Sequence, residues 1–214
     1  MKKIAACLFV CFLSQSVWAL DATDQQRLSD IQQSWAHIQY ELPEKQRADA
    51  FETLAAKASA FTQERPSAAE AWIWSGIVTS SWAGAQGGIG ALSKVKEAKV
   101  DLEKAMALDP KALQGSAYTS LAALYDRVPG WPIGFGDSEK AEPLLKEALQ
   151  LNPNGIDSLY FWGDHLYRQK RYDDARQALQ KALKAAPRPG REIADAGRRK
   201  EIEALLTDIN KKTS

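Results

Sequence analysis

Four residues repeated at a fixed distance constrain this chain more than its composition does. Ala141, Leu145, Ala148 and Pro153 recur 34 positions later as Ala175, Leu179, Ala182 and Pro187. Apolar residues at such spacing lie on one face of a helix, and the proline falls where that helix has to end. The same signature stands 43 positions earlier, as Ala98, Leu102, Ala105 and Pro110. A unit of this length has room for a second helix before the first-named one. Such a unit cannot bury its apolar face alone, so neighbouring units have to stack. No alternating strand pattern runs against this reading, and 214 residues suffice for one domain.

The unit at residues 156–187, "IDSLYFWGDHLYRQKRYDDARQALQKALKAAP", is the most complete. Leu159, Trp162, Gly163 and Leu166 share one face of its first helix, and Ala175, Leu179 and Ala182 share one face of its second. Gly163 and Ala175 are small enough to let the two helices meet closely. Asp173 and Asp174 put negative charge at the positive end of the second helix. These positions resemble the tetratricopeptide repeat, a helix-turn-helix unit of about 34 residues. The resemblance implies an all-α fold: a short right-handed solenoid of about four hairpins plus a capping helix, with a groove that binds protein or peptide.

The other units follow in register. Tyr118, Leu121, Ala122 and Tyr125 mark a first helix that begins at Ser116, within a repeat at 116–153. Nine residues separate Leu166 from Ala175, but sixteen separate Tyr125 from Ala141, so seven extra residues sit between these helices. They fall within "VPGWPIGFGDSEKA", which is too rich in proline and glycine for a helix interior. In the repeat at 69–110, Trp72, Gly76 and Thr79 are in register, and nineteen residues lead from Thr79 to Ala98, ten more than in the plain repeat. The extra segment, "SSWAGAQGGIGALSKV", holds a tryptophan and several glycines and is expected to form a second inserted loop. Residues 20–66 read as a degenerate repeat, with Ile31, Trp35 and Ile38 before Pro43, and Phe51, Leu54, Ala58 and Phe61 after it. Residues 192–211 carry Ile202, Leu205, Leu206 and Ile209 on one side and read as the capping helix.

The first 19 residues read as an export leader. Lys2 and Lys3 precede an apolar run at residues 4–13, and Val17-Trp18-Ala19 supplies a small-residue cleavage site. The run is too short for a stable membrane span. Cleavage there predicts a soluble exported protein, periplasmic in a Gram-negative host. It removes both cysteines, Cys7 and Cys11, and takes the formal net charge from +1 to −1. A cysteine nucleophile, a cysteine metal site and a disulfide frame are then excluded, and so balanced a charge argues against nucleic acid as partner.

Catalytic constellations are missing. His37 and His165 are the only histidines and fall in different repeats. Asp164 and His165 are adjacent on a helix and do not converge on one atom or ion, so no enzyme, metal or cofactor is expected. Asp157, Asp164, Arg191, Arg198 and Arg199 are expected to pair and lock the last repeat to its cap. Trp72 and Trp162 are expected in the repeat core. The candidate binding residues are Trp82 on the first insert, Trp131, Phe135 and Asp137 on the second, and Trp74 and Tyr118 on first helices below them. Per-repeat insertions map to one side of a solenoid, so the two are expected to meet; either they fold back and extend the core, with Trp131 as a buried wedge, or they shape a recognition surface. Replacing Trp131 and Phe135 together with alanine is expected to abolish ligand or partner capture and leave the melting curve nearly unchanged. A small-ligand carrier with an apolar pocket beneath these rings is the alternative.

The leader, the all-α repeat body, and "SEKAEPLLKEAL" followed by "LNPNGID" together resemble the T component of TRAP (tripartite ATP-independent periplasmic) transporters. That resemblance implies a periplasmic helper that binds a substrate-binding protein or a small apolar ligand. The chain has no cysteine at the expected cleavage position for a lipid anchor.

Overall fold

A computed structural model describes residues 20–213, so the leader expectation at residues 1–19 lies outside the described residues. Within them, eight helices form four hairpins: α1 (Ala22–Tyr40) with α2 (Glu44–Glu64), α3 (Ala69–Gln86) with α4 (Gly90–Leu108), α5 (Ser116–Arg127) with α6 (Ser138–Leu151), and α7 (Ile156–Arg168) with α8 (Tyr172–Leu183). A ninth, α9 (Glu192–Thr213), follows. The fold is the all-α, TPR-like solenoid that the repeat spacing predicts.

Small residues set the hairpin geometry. A Cβ on Gly163 would lie 2.7 Å from Leu179 Cγ, and one on Gly76 would lie 2.7 Å from Leu102 Cγ. The partner helices therefore pass over these glycines at a separation no larger residue allows. Ala98, Leu102, Ala105, Ala141, Leu145, Ala148, Ala175, Leu179 and Ala182, the residues that betray the repeat, are all fully buried.

The stack has an inner and an outer side. The first helices pack on one another in sequence, α1 on α3, α3 on α5 and α5 on α7, and the second helices form no comparable row. Curvature follows from that difference: the α1–α3–α5–α7 row is the inner face.

The α3–α4 hairpin departs from the sequence reading. Its ten extra residues do not form a loop. They lengthen both helices, and only Gly87, Gly88 and Ile89 remain to turn the chain. Ser80 to Gln86 contains no proline, so the helix has no cause to stop before the glycine pair. Gly87 and Gly88 both take φ of +64°, which reverses the chain at little cost. The extra residues of α5–α6 do form a loop, at 128–137, because Pro129 and Pro132 deny it helical hydrogen bonds. The Trp131–Pro132 peptide is cis.

Candidate functional site

The six residues singled out in the sequence do not converge on one cavity. Trp74 is buried in the N-terminal core and meets the ring of Trp35 edge-on, with centroids 5.9 Å apart. It is core, not the floor of a pocket beneath the loop. Trp82 is half-buried against the same core, and Lys94 Nζ lies 4.0 Å from its ring centroid. Tyr118 is half-buried on α5. Phe135 packs edge-on against Tyr125 at 5.7 Å, within a cluster of Val95, Ala98, Leu121, Leu124 and Val128. Asp137 caps α6, accepting hydrogen bonds from the Glu139 and Lys140 amides at 3.1 and 3.3 Å. Its carboxyl is held below the usual range, first by Lys140. Trp131 alone is displayed, at 90% exposure.

The two corners still share a boundary. Val128 and Phe135, at the base of the loop, pack on Val95 and Ala98 of α4.

Sequence reasoning missed what lies on the inner face. α9 packs on α8 and α7 as a cap does, but it also reaches α1. Gly197 lies against the ring of Tyr40, where an added Cβ would come within 2.3 Å. Ala194 joins the N-terminal core, and the Arg191 guanidinium sits 5.2 Å from the centroid of Trp74 on α3. The concave groove expected to hold a partner is occupied by the chain's own last helix.

A charge network fixes α9 there. Asp157 of α7 accepts from Arg198 Nε at 2.8 Å and from Arg188 at 2.7 Å. Arg188 also binds Asp195 at 2.7 Å, and Arg198 also pairs with Glu201. Arg198 lies 4.2 Å from the Tyr160 ring centroid and 4.8 Å from that of Phe161. Burial opposes ionisation of Asp157, but Arg198 and Arg188 outweigh it and hold the carboxyl below the usual carboxylate range. Burial raises the Tyr40 phenol well above its ordinary value. Of the residues expected to lock the cap, Asp157 and Arg198 do so. Arg199 also ties the cap to the last repeat, by donating to the carbonyls of Leu183 and Ala185. Asp164 turns away to Arg127 and Arg168, at 2.8 and 3.2 Å.

His165 is also interior. It is 1% exposed, and both carboxylate oxygens of Asp126 lie 3.0 Å from its Nδ1. The ring of Trp162 stacks on it at 5.6 Å. Asp164 and His165 thus bind adjacent residues of α5, Arg127 and Asp126, and tie α7 to the preceding repeat.

An open groove lies on the outer side. It has a volume of about 540 Å³ and runs between the end of α6 and α8, with α7 beneath. Leu149, Leu159, Trp162, Leu166 and Ala178 give it an apolar lining, and Arg171, Asp174, Gln177 and Lys181 also line it. Trp162 and Trp72, expected in the core, are only half-buried. Trp162 is turned partly into this groove, and the Trp72 indole donates to the Pro66 carbonyl at 3.0 Å. A second, smaller pocket of about 290 Å³ lies where α9 meets Tyr40, Glu41 and Arg47. None of the six candidates lines either one.

Residues 133–199 match the tetratricopeptide repeat family. No curated protein matches the chain. Among solved structures, the chain is similar to a thermophilic TPR protein of Thermus thermophilus, at 20% identity over 89% of this chain and 83% of that one, with a TM-score of 0.59. It is also similar to MamA 41-end from Desulfovibrio magneticus RS-1, at 14% identity over 90% and 96% of the two chains, with a TM-score of 0.47. The family match covers the α5–α6 loop through the first third of α9, and the first of these structures shares the fold. Residues 133–199 therefore match tetratricopeptide repeats, and the fold around them is a TPR-like solenoid.

Proposed function

We propose that this protein is a non-catalytic scaffold that takes a protein or peptide partner into the outer groove over Trp162, not into the inner face. The observation that carries this reading is the pairing of a filled inner face with an open outer groove. The groove is lined by apolar side chains together with Arg171, Asp174, Gln177 and Lys181, and Arg171 is paired with Asp174 at 2.8 Å. Apolar side chains of a partner would anchor on Leu159, Trp162 and Leu166, and the polar residues would orient its backbone. Binding then depends on shape and aromatic contact, with no bond made or broken.

A photo-crosslinking amino acid placed at Gln177 tests this. It should yield one adduct in living cells, identified by mass spectrometry and competed by excess unlabelled protein. The same group at Ala196, on α9, should yield none. An adduct at Ala196 with nothing at Gln177 contradicts the reading.

The export reading is part of the proposal and rests on residues 1–19. Cell fractionation should recover the protein from the periplasm, shortened to begin at Leu20. A full-length cytoplasmic protein contradicts it. The carrier alternative has less behind it, since Phe135 and Val128 belong to a side-chain cluster with Ala98, Leu121 and Leu124. The transporter-component reading rests on residues 138–157, which packing and capping account for: Ala141, Leu145 and Ala148 are core, and Ser158 Oγ ties the α6–α7 turn by donating to the Asn152 carbonyl at 2.6 Å.

A further inference from the structure

A buried histidine backs the tryptophan of the outer groove. His165 is 1% exposed, and its Nδ1 faces both carboxylate oxygens of Asp126 at 3.0 Å. A carboxylate only accepts, so in the neutral ring the proton sits on Nδ1 and Nε2 carries a lone pair. That Nε2 is buried without a hydrogen-bond partner. Glu142 Oε2 of α6 lies 3.7 Å from it, so two acceptors face each other with no proton between them. A buried acceptor left unpaired costs free energy, and one added proton removes the fault.

Both sides of this arrangement touch the groove. The Trp162 indole, turned partly into the groove, lies nearly parallel to the imidazole, at 17° and 5.6 Å. Glu142 Oε1 is 3.0 Å from Lys146 and 3.8 Å from Arg171, which lines the groove beside Trp162 with its guanidinium 6.0 Å from the indole centroid. The other charges around α7 are engaged elsewhere: Arg127 and Arg168 with Asp164, Arg171 with Asp174, and Arg198 of α9 with Asp157 and Glu201. Asp126 from α5 and Glu142 from α6 are therefore the charges that face the ring, one at each nitrogen. The Glu142 carboxyl is held below the usual range, first by Lys146. It is an anion throughout the range in which imidazole ordinarily charges.

We propose that His165 is a proton-operated positioning residue for the outer groove, an inference that rests on the groove being the partner site. When the ring takes a second proton, Nε2–H donates to Glu142 Oε2 and joins α6 to α7 by a charged hydrogen bond. The imidazolium also holds the Trp162 indole by cation–π attraction. Trp162 and the α6 side of the groove are then fixed in the form that receives a partner, and less ordering is left to the moment of binding. Capture strengthens as pH falls through the range between about 8 and about 5 in which imidazole ordinarily charges.

Nuclear magnetic resonance of the purified protein across that range tests it. The chain has two histidines, so His37→Gln identifies the ring signals of each, and Trp162→Phe identifies the Trp162 indole signal. His165 should take up a proton within the range, and the Trp162 indole N–H should shift with the same midpoint. Glu142→Gln, at a partly exposed side chain, should lower the His165 midpoint by about one pH unit and leave that of His37 unchanged. That response separates His165 from the Asp101 carboxyl, itself pushed up to about 6. The photo-crosslinking group at Gln177 should give several-fold more adduct in cell extract near the acid end of the range than near the alkaline end, and Glu142→Gln should displace this dependence with the midpoint. A His165 that does not titrate while the protein is folded overturns the proposal. So does a titration that leaves the Trp162 signal still, or a midpoint that Glu142→Gln does not move. Equal adduct at both ends overturns it as well, whereas no adduct at either end defeats the groove reading on which it rests.

Discussion

The corner of α3–α4 and the corner of α5–α6 received extra residues of the same kind and used them differently. Both segments contain a tryptophan and several glycines. In the first, the chain stays helical to Gln86 and turns in three residues, and Trp82 ends half-buried against the core. In the second, prolines stop the helix and the chain makes a ten-residue loop, with Trp131 left in solvent. Glycine alone does not make a loop: Gly84 sits inside α3 with nothing within 4 Å of a would-be Cβ. Proline does, because it removes both the donor and the room for the preceding turn. The two corners therefore differ in what they offer a partner. One is an extended wall, and the other is a wedge set against it.

Substitutions can break or sharpen that contrast. The largest effect is expected at Gly136, where an added Cβ would lie 1.8 Å from the Val128 carbonyl oxygen. Gly136→Val should cost ~3 kcal/mol or more in urea unfolding, because the loop has to leave α5 to admit it. A smaller cost would mean the loop is loose and Trp131 is not held.

Asp101 gives a pH-dependent probe of the extended hairpin. It is buried between α3 and α4, and the Ser75 hydroxyl donates to it at 2.6 Å. Burial pushes its carboxyl up to about 6; the Ser75 hydrogen bond opposes this and Glu97 adds to it. The folded state therefore holds a proton between about pH 6 and about pH 4 that the unfolded chain releases. The contribution of this group to stability is greatest below about pH 4 and declines as pH rises to about 6. Asp101→Asn should abolish that slope and stabilise the protein at pH 7 by roughly 1–3 kcal/mol. An unchanged pH profile would show that the carboxyl is solvated and the helices less closely joined.

Gly84→Ala is expected to stabilise by ~0.5–1 kcal/mol, since the residue is helical, exposed and unhindered. No gain in melting temperature would mean the segment is not helical in solution. Trp131→Ala should change stability by less than ~0.5 kcal/mol. The double alanine variant that the sequence suggested does not share this neutrality, because Phe135 is packed against Tyr125 and costs stability when removed.

Much of the fold was legible because repeat contacts are local in sequence. Ala175, Leu179 and Ala182 announce their helix face, and Gly163 announces the close approach. The site was far less legible. Trp82 and Trp131 look alike in sequence, and only the position of the nearest proline separates their fates. The path of α9 left weaker traces still. Ile202 and Ile209 mark its capping half, but the half that reaches α1 has Gly197 and Arg198 where an apolar stripe would be expected. Its contacts with Tyr40 and Asp157 span 157 and 41 residues, a separation no periodicity records.

The position of α9 decides where a partner can bind, and amide hydrogen exchange tests it most directly. Peptides covering residues 192–201 should exchange as slowly as those covering residues 156–168, since the two helices are held together by Asp157, Arg188 and Arg198 and open together. Exchange over residues 192–201 that runs orders of magnitude faster, with α7 still protected, would mean the inner face is free in solution and would return the partner site to it.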